Sequence, residues 1–270
     1  MPKITAARVR AYFDSEAAKG GARLPDPETT GGLGTYVKYE QAVTLMADPA
    51  VTTVLDVGCN RGQIELLFHT LCKQAAVHTH VEGVDISTEA IRQARELDLP
   101  NCSFQSYDGG RLPFPEMQFD LVVLVEVIEH VADPLLLLTE IHRVLRPGGR
   151  LYLTTPNPEC VPLKVDIAMW DVLRWLWRRS DPHKDAFLPR HKLVALLADA
   201  GFGIVGDRSL YSWPHLYVYL LGWSIFPPLP PRALFHYQRL CVHLLERRRV
   251  PEWIGKRFKW TLVALAVRRN

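Results

Sequence analysis

The spacing of three aspartates gives the first indication of what the chain could bind. Each of them lies where an apolar run meets a turn. Asp56 follows the apolar start of VLDVGCNRGQ, and Asp85 follows the apolar start of VEGVDIS. Asp108 precedes the glycines of YDGGRLPF. If each lies at the carboxyl end of a parallel strand, the three share the edge at which open α/β sheets bind ligands. A carboxylate there accepts hydrogen bonds from ribose hydroxyls or an adenine amino group, and it repels a pyrophosphate. The set therefore favours an adenosine ligand with a positive charge, a description that S-adenosylmethionine fits.

A turn with two glycines follows the first aspartate. Gly58 and Gly62 let a ligand approach the main chain, and the next helix offers free N–H groups. The spacing differs from the dinucleotide-binding pattern G-x-G-x-x-G, because Asn60 and Gln63 occupy its second and third glycine positions. The lysine of a phosphate-binding loop is also missing. Since Asn tolerates a left-handed backbone, we expect the turn to keep its shape, with the Asn60 amide near the methionine carboxylate or amine.

The segment EVIEHV places Glu126, Glu129 and His130 directly after another apolar run. In a helix these residues would project from one side. Two carboxylates and an imidazole could hold Mg²⁺ or a similar ion, which would lower the pKa of a bound hydroxyl. Alternatively, His130 acts as a general base, or the set has a structural role. The sequence leaves these three interpretations open.

Alternating apolar and amphipathic stretches predict the elements that position these residues. Ser87 and Asp133 are expected to cap two of the helices, and RPGG at 146–149 is expected to end the second of these. Strands and helices that alternate in this way form βαβ units around a parallel sheet. Strands are predicted at 51–57, 80–86, 102–108, 119–127, 150–155, 203–210 and 260–268, and helices at 63–75, 87–97, 133–145 and 192–202.

Five segments in this order resemble the successive motifs of class I S-adenosylmethionine-dependent methyltransferases, and most closely the group that includes the ubiquinone-biosynthesis O-methyltransferases. They are VLDVGCNRG, VEGVDIS, YDGGRLPF, FDLVVLVEVIEHVADP and RVLRPGGRLYLTTPN. The resemblance implies an α/β fold with a Rossmann-like seven-stranded sheet, an antiparallel last strand and helices on both faces. The cofactor-binding residues that it implies, together with the rest of the turn, are Asp56, Gly58, Asn60, Gly62, Asp85, Ile86, Asp108, Gly109 and Glu126.

The resemblance also implies transfer of the methyl group of S-adenosylmethionine to an acceptor. We expect a small apolar or amphipathic acceptor and favour an oxygen because of E-x-x-E-H, while carbon or nitrogen methylation stays an alternative. Small-RNA 2′-O-methyltransferases have a similar set with a later histidine, which here would be His183. RNA methylation is therefore a second alternative, although nucleic acid is not the expected partner, and a non-catalytic adaptor is a third. His130 and His183 are the catalytic candidates, and with Glu126 and Glu129 they are also the candidates for a divalent metal.

Two stretches interrupt the regular pattern. In residues 165–179 an apolar stripe lies opposite Arg174 and Arg178 and is bordered by tryptophans, as in helices that lie at a membrane surface. A lid over the substrate pocket and a dimer contact are the alternatives. The predicted organisation is a helical cap at 1–47, a cofactor-binding core at 48–158, a helical insertion or lid at 159–190, further core at 191–210, an aromatic and basic insertion at 211–257 and the last core strand at 258–270.

Charge and composition restrict the partners and the location that we expect for the protein. Residues 1–159 contain 14 basic and 21 acidic side chains, whereas residues 160–270 contain 18 and 8, so an anionic membrane surface is a candidate partner. The apolar runs are shorter than the ~20 residues of a spanning helix, and no signal peptide is expected. The five cysteines form no C-x-x-C pair, which argues for a reducing compartment. We expect a cytoplasmic protein that is peripheral to a membrane if the insertions dock there; the sequence leaves its oligomeric state open.

Overall fold

A computed structural model of the chain describes residues 6–25, 30–76, 78–159, 187–212 and 259–269. Most of the two predicted insertions, 159–190 and 211–257, lies outside these residues, and so does His183. The division of the chain into cap, core and insertions therefore stays a prediction. Among the helices of the described residues, none combines the length and the apolar character needed to cross a membrane.

Seven strands form one sheet in the order β3-β2-β1-β4-β5-β7-β6. Strand β7 runs antiparallel to both of its neighbours, whereas β1 to β5 pair in parallel. The predicted Rossmann-like sheet with an antiparallel last strand is confirmed. The strands are β1 Thr53–Val57, β2 His80–Asp85, β3 Cys102–Ser106, β4 Phe119–Val125, β5 Leu145–Pro156, β6 Phe202–Ser212 and β7 Lys259–Arg268.

Helices pack on both faces of the sheet. Two of them begin as predicted, because Ser87 Oγ accepts a hydrogen bond from Ala90 N and Asp133 Oδ1 accepts one from Leu136 N. The stretch predicted as one helix over 63–75 is divided at Cys72. The described helices are α1 Ala6–Ala17, α2 Thr30–Met46, α3 Gln63–Leu71, α4 Lys73–Ala76, α5 Thr88–Arg95, α6 Pro134–Val144 and α7 Arg190–Asp199, and a 3₁₀ turn spans Ile128–His130.

The prediction for RPGG needs a correction. Helix α6 already ends at Val144, and the four residues belong to β5, where the pairing register with β4 shifts between Phe119 and Leu121. Gly148 has a φ of 77°, a left-handed conformation that side chains with a Cβ avoid. The two glycines therefore form an irregularity within the strand instead of the end of the helix.

The core consists of two main apolar layers, one on each face of the sheet. Neighbouring residues of the central strands alternate between them: Val54 belongs to the layer beneath α2 and α3, and Leu55 to the layer beneath α6 and α7. Buried strands with apolar residues on both faces are typical of parallel sheets covered by helices. With both faces covered, the strand ends are the places where polar side chains converge.

Gly83 in β2 tests the tight packing of a third, smaller apolar cluster, which contains Cys59 and Phe104. A Cβ at this position would lie 2.6 Å from Phe104 Cδ1 and 2.9 Å from Cys59 Sγ. We expect Gly83→Ala to lower the free energy of unfolding by about 1–3 kcal/mol, as overpacked core substitutions do. Urea unfolding measures this change. Gly206→Ala is the control, since its nearest neighbour would be Leu265 Cβ at 4.0 Å; equal losses in both variants would contradict the prediction.

Candidate functional site

A cavity of about 420 Å³ lies where β1, β2 and β4 end. This is the crevice position of open α/β sheets, because β1 is flanked by strands on both sides and the chain leaves these strands toward opposite faces. Its walls combine the turns after the strands with side chains of α1, α2 and α6. The lining residues are Phe13, Thr35, Lys38, Tyr39, Gly58, Cys59, Asn60, Ile64, Asp85, Ile86, Tyr107, Gly109, Val125, Glu126, Val127, His130, Val131, Ala132, Asp133, Leu136 and Leu137.

The glycine turn forms one wall of the cavity. Gly58, Asn60 and Gly62 all have left-handed backbones, with φ of 79°, 50° and 73°. A Cβ on Gly58 would lie 2.3 Å from Val127 Cγ2, so this position admits only glycine without a shift of its neighbour. The left-handed conformation expected of Asn60 is confirmed, and it lets the turn form without a glycine at this position.

Asp85 connects two walls of the cavity. It is 8% exposed, and its carboxylate accepts hydrogen bonds from the main-chain N–H groups of Asn60, at 2.9 Å, and of Ser87, at 2.8 Å. Burial raises the pKa of Asp85, and these hydrogen bonds act against that rise. The side chain thus fixes the turn after β1 relative to the turn after β2 while it faces the cavity.

Asp56 does not line the cavity. It is buried beneath the glycine turn together with Glu65 of α3, which is fully buried, and none of the four carboxyl oxygens accepts a hydrogen bond from an N–H group or hydroxyl of the described residues. Burial first, and then the charge of Glu65, raises the pKa of Asp56; burial also raises the pKa of Glu65. The two carboxyl groups interact directly, so a proton held between them makes the pair tolerable in the interior.

Glu126 lies at the opposite wall in a left-handed conformation, with a φ of 56°. Its Oε1 accepts a hydrogen bond from Thr154 Oγ1 at 3.1 Å and lies 3.4 Å from Lys38 Nζ of α2. This ion pair places one cation and one anion side by side in the cavity wall. Lys38 had no distinguishing signal in the sequence, because α2 lies outside the motifs that carry the resemblance.

The segment EVIEHV does not form the helix that would place Glu126, Glu129 and His130 on one side. Only Ile128–His130 adopt a 3₁₀ turn, and Glu129 turns into the interior, where Thr155 Oγ1 donates to its Oε2 at 3.0 Å. Burial, followed by the charge of Glu126, raises the pKa of Glu129 to about 8. Within the described part of the chain, no three His, Cys, Asp or Glu side chains are grouped so that they could hold a metal ion. Glu126, Glu129 and His130 therefore do not form a metal cluster by themselves, and the fourth candidate, His183, lies outside the described residues.

His130 does line the cavity, as a catalytic residue must. Its ring contacts Phe13 of α1 edge to face, with ring centroids 5.4 Å apart and planes at 72°. Phe13 is a second lining residue that the sequence did not reveal, because it precedes every recognised motif.

The structure brings most of the predicted site residues together. Gly58, Asn60, Asp85, Ile86, Gly109, Glu126 and His130 line the cavity, whereas Asp56, Gly62 and Asp108 do not. Asp108 is exposed, and its Oδ1 accepts a hydrogen bond from Gly110 N at 2.9 Å, which shapes the turn after β3. Main-chain geometry explains these departures: Asp56 lies within β1 and points to the α3 face, and Gly62 already begins the helix.

The Asp56–Glu65 pair predicts a pH dependence of stability. Carboxyl groups with a raised pKa keep a proton in the folded state that the unfolded chain releases above its ordinary value, near 4.5 for Glu. The free energy of unfolding should therefore fall as the pH rises from about 4.5, with a slope of up to about 1.4 kcal/mol per pH unit for one proton. In Glu65→Gln the amide can donate to Asp56, so we expect a smaller slope.

Urea unfolding between pH 5 and 8 measures these slopes. Glu96→Gln is the matched control, because Glu96 is the exposed residue that caps the C-terminal end of α5. Parallel pH curves for wild type and Glu65→Gln would refute the shared proton.

Comparisons with known proteins agree with this geometry. A family model described as a methyltransferase domain matches residues 18–206. An uncharacterised 37.1 kDa protein from a transposon of Streptomyces fradiae is 34% identical over 195 residues, which are 71% of this chain and 54% of that protein. A ubiquinone biosynthesis O-methyltransferase of Coxiella burnetii is 35% identical over 125 residues, 45% of this chain and 49% of the enzyme. The chain thus spans about half the length of these relatives.

Solved structures share the fold over nearly the whole chain. A chain from a Haloferax volcanii complex with the Trm112 methyltransferase activator has 20% identity and a TM-score of 0.60, with 96% of this chain and 98% of that chain covered. An S-adenosylmethionine-dependent methyltransferase from Aquifex aeolicus has 14% identity and a TM-score of 0.53, with coverages of 94% and 97%. The [4+2]-cyclase SpnF has 17% identity and a TM-score of 0.59, with coverages of 100% and 98%. At these identities the likeness concerns the fold alone, which also serves other chemistry.

Proposed function

The chain belongs to the class I S-adenosylmethionine-dependent methyltransferase family, and from this premise we propose that it transfers the methyl group to an oxygen atom of a small apolar or amphipathic acceptor. The observation that carries the proposal is the cavity at the ends of β1, β2 and β4, into which Asp85, Glu126 and His130 all face. This cavity combines a glycine turn, the buried carboxylate of Asp85 and an imidazole.

The residues of the cavity fit the cofactor. Asp85 is a buried carboxylate whose remaining lone pairs can accept hydrogen bonds from the ribose hydroxyls. Gly58 leaves a space that a Cβ would fill. The Lys38–Glu126 pair offers one charge of each sign, as the zwitterionic amino-acid end of the ligand requires. When bound, S-adenosylmethionine supplies an electrophilic methyl group. The nearby carboxylates favour this cationic ligand over a ligand that carries phosphate groups.

The acceptor side of the cavity is mainly apolar. Phe13, Val131, Leu136 and Leu137 line it, and Leu136 at its rim is 50% exposed. Such walls suit a hydrophobic or amphipathic molecule, held in place by a small number of polar groups. The names of the ubiquinone biosynthesis relatives support an oxygen acceptor. His130 is the described residue best placed to remove the proton from an acceptor hydroxyl.

Docking to an anionic membrane surface rests on the sequence alone, because the amphipathic and basic segments lie outside the described residues. It stays a prediction, as do carbon or nitrogen methylation, RNA 2′-O-methylation and the adaptor alternative. Titration of the wild-type chain with S-adenosylhomocysteine separates the adaptor from the enzymes. Transfer of label from methyl-labelled S-adenosylmethionine to a pool of small molecules, or to RNA, then separates the acceptor classes.

Asn60 tests how the turn meets the cofactor. The observed contact is the hydrogen bond from its main-chain N–H to Asp85, which glycine preserves. We therefore expect Asn60→Gly to bind S-adenosylhomocysteine within about two-fold of wild type. Asn60→Val should bind more weakly, because a left-handed backbone costs side chains with a Cβ roughly 1–2 kcal/mol. Isothermal titration calorimetry measures both; a ten-fold loss for Asn60→Gly would show instead that the side-chain amide contacts the cofactor.

His130 tests the proton-transfer step. We expect His130→Gln to lower methyl transfer by about 10²–10⁴-fold, as loss of a general base does, while S-adenosylhomocysteine affinity stays near that of wild type. Label transfer and calorimetry measure the two effects. His80→Gln is the control, since His80 is an exposed residue at the start of β2. Undiminished transfer by His130→Gln would place the base elsewhere, and a parallel loss of affinity would indicate a role in binding.

A further inference from the structure

Helix α1 is tied to the loops that build the adenosine end of the cavity. The guanidinium of Arg10 donates from Nε to the carbonyl oxygen of Ile86 at 3.0 Å and from Nη2 to that of Tyr107 at 3.1 Å. Ile86 follows β2, Tyr107 follows β3, and both line the cavity. One planar side chain thus bridges two walls, a task for which the fixed fork of an arginine is suited.

Asp14, one turn further along α1, contacts the same region at the start of α5. Its Oδ1 accepts a hydrogen bond from Ser87 Oγ at 2.5 Å and one from the main-chain N–H of Glu89 at 3.3 Å. Ser87 is the N-cap of α5, so the carboxylate of Asp14 adds a negative charge at the positive end of that helix. Docking of α1 therefore also fixes the start of α5, directly after Asp85 and Ile86.

The carboxyl end of α1 meets the third wall. Arg61, within the glycine turn, donates from Nη2 to the carbonyl oxygen of Glu16 at 2.5 Å, and Gln93 Nε2 donates to that of Ala17 at 2.8 Å. Consequently α1 is bonded to the turns after β1, β2 and β3 at once. The family match begins at residue 18, so none of these α1 residues belongs to the matched region.

The same helix delivers a side chain to the reaction side. Phe13 lies between Arg10 and Asp14 in the sequence, lines the cavity and contacts the ring of His130. Because one rigid helix carries both the loop contacts and the ring, movement of α1 would change the cofactor loops and the surroundings of the imidazole together.

We propose that α1 is a clamp for the cofactor: Arg10 and Asp14 are positioning residues whose bonds to the loops after β2 and β3 slow the release of the cofactor, and Phe13 places the His130 ring when the clamp is docked. This inference rests on the proposed function, since it takes S-adenosylmethionine as the ligand. Linkage makes the effect reciprocal, so a ligand that orders the loops also strengthens the docking of α1. If the docked fraction falls, the apparent affinity for the ligand falls by the same factor.

Binding of S-adenosylhomocysteine by the full chain tests the clamp. We expect Arg10→Ala to raise the dissociation constant about ten-fold, which corresponds to a docked fraction of about one tenth, with most of the change in the dissociation rate measured by stopped-flow displacement. Lys19→Ala is the charge-matched control, because Lys19 is an exposed residue two positions beyond the end of α1, and this variant should stay within two-fold of wild type. Arg10→Ala with an unchanged dissociation constant and rate would overturn the clamp.

Failure of the proposed function gives a different result, because the wild-type chain itself would then not bind S-adenosylhomocysteine.

Asp14→Asn is a milder substitution than Asp14→Ala, so the role of Asp14 can be tested even if the alanine variant does not fold. Its amide oxygen can still accept both hydrogen bonds, so its dissociation rate should lie between those of wild type and Asp14→Ala. Glu16→Gln is its control, because it changes a half-exposed side chain of the same helix and keeps the main-chain carbonyl that Arg61 contacts. Equal dissociation rates for wild type, Asp14→Asn and Asp14→Ala would overturn the role of Asp14.

The link to His130 has a spectroscopic test. In histidine-labelled protein, Phe13→Leu should shift the ring-proton resonance of His130, identified by its absence in His130→Gln, because the ring current of Phe13 is lost. Arg10→Ala should move this resonance in the same direction, and Lys19→Ala should leave it in place. A His130 resonance that is unchanged in Arg10→Ala would show that α1 does not position the imidazole.

Discussion

The site depends on one constraint of the sheet, the parallel alignment of β1 with β2 on one side and β4 on the other. Parallel strands end at a common edge, and the chain leaves the central strands toward opposite faces, which opens a crevice there. The helices that cover both faces bury the apolar side chains of the strands. Polar groups that follow the strands are thereby collected at one place, without any of them having to be buried alone in a layer of the core.

Carboxyl groups that are buried, or half-buried in the case of Glu126, dominate the electrostatics of this edge, and each is stabilised in a different way. Asp85 accepts hydrogen bonds from main-chain N–H groups, Glu126 forms an ion pair with Lys38, and Glu129 accepts a hydrogen bond from the Thr155 hydroxyl. Burial raises the pKa of both Asp56 and Glu65 beneath the turn, and the charge of Glu65 raises the pKa of Asp56 further, which favours protonation of the pair. An uncompensated buried charge would cost several kcal/mol, so these arrangements allow acidic residues to surround a cavity suited to a cationic ligand.

The helices that precede β1 complete the cavity. Lys38 comes from α2 and Phe13 from α1, so the wall opposite the strand ends is built by residues that precede the first motif. The family match begins after α1, and the relatives named here align over only part of their length. Among the lining residues, Phe13 therefore lies outside the family match, whereas Lys38 and the others lie within it.

The sequence alone determined the features that depend on neighbouring residues. The alternation of strands and helices, the caps at Ser87 and Asp133 and the left-handed Asn60 follow from periodicity, local hydrogen bonds and backbone sterics, and the structure confirms them. It could not assign contacts between residues far apart in the chain, because periodicity carries no information about them. Only the tertiary structure decided that Asp56 pairs with Glu65 instead of lining the cavity, and that Glu129 turns to Thr155. The same holds for Phe13 against His130, two side chains more than a hundred residues apart that only the docking of α1 on the sheet edge brings into contact.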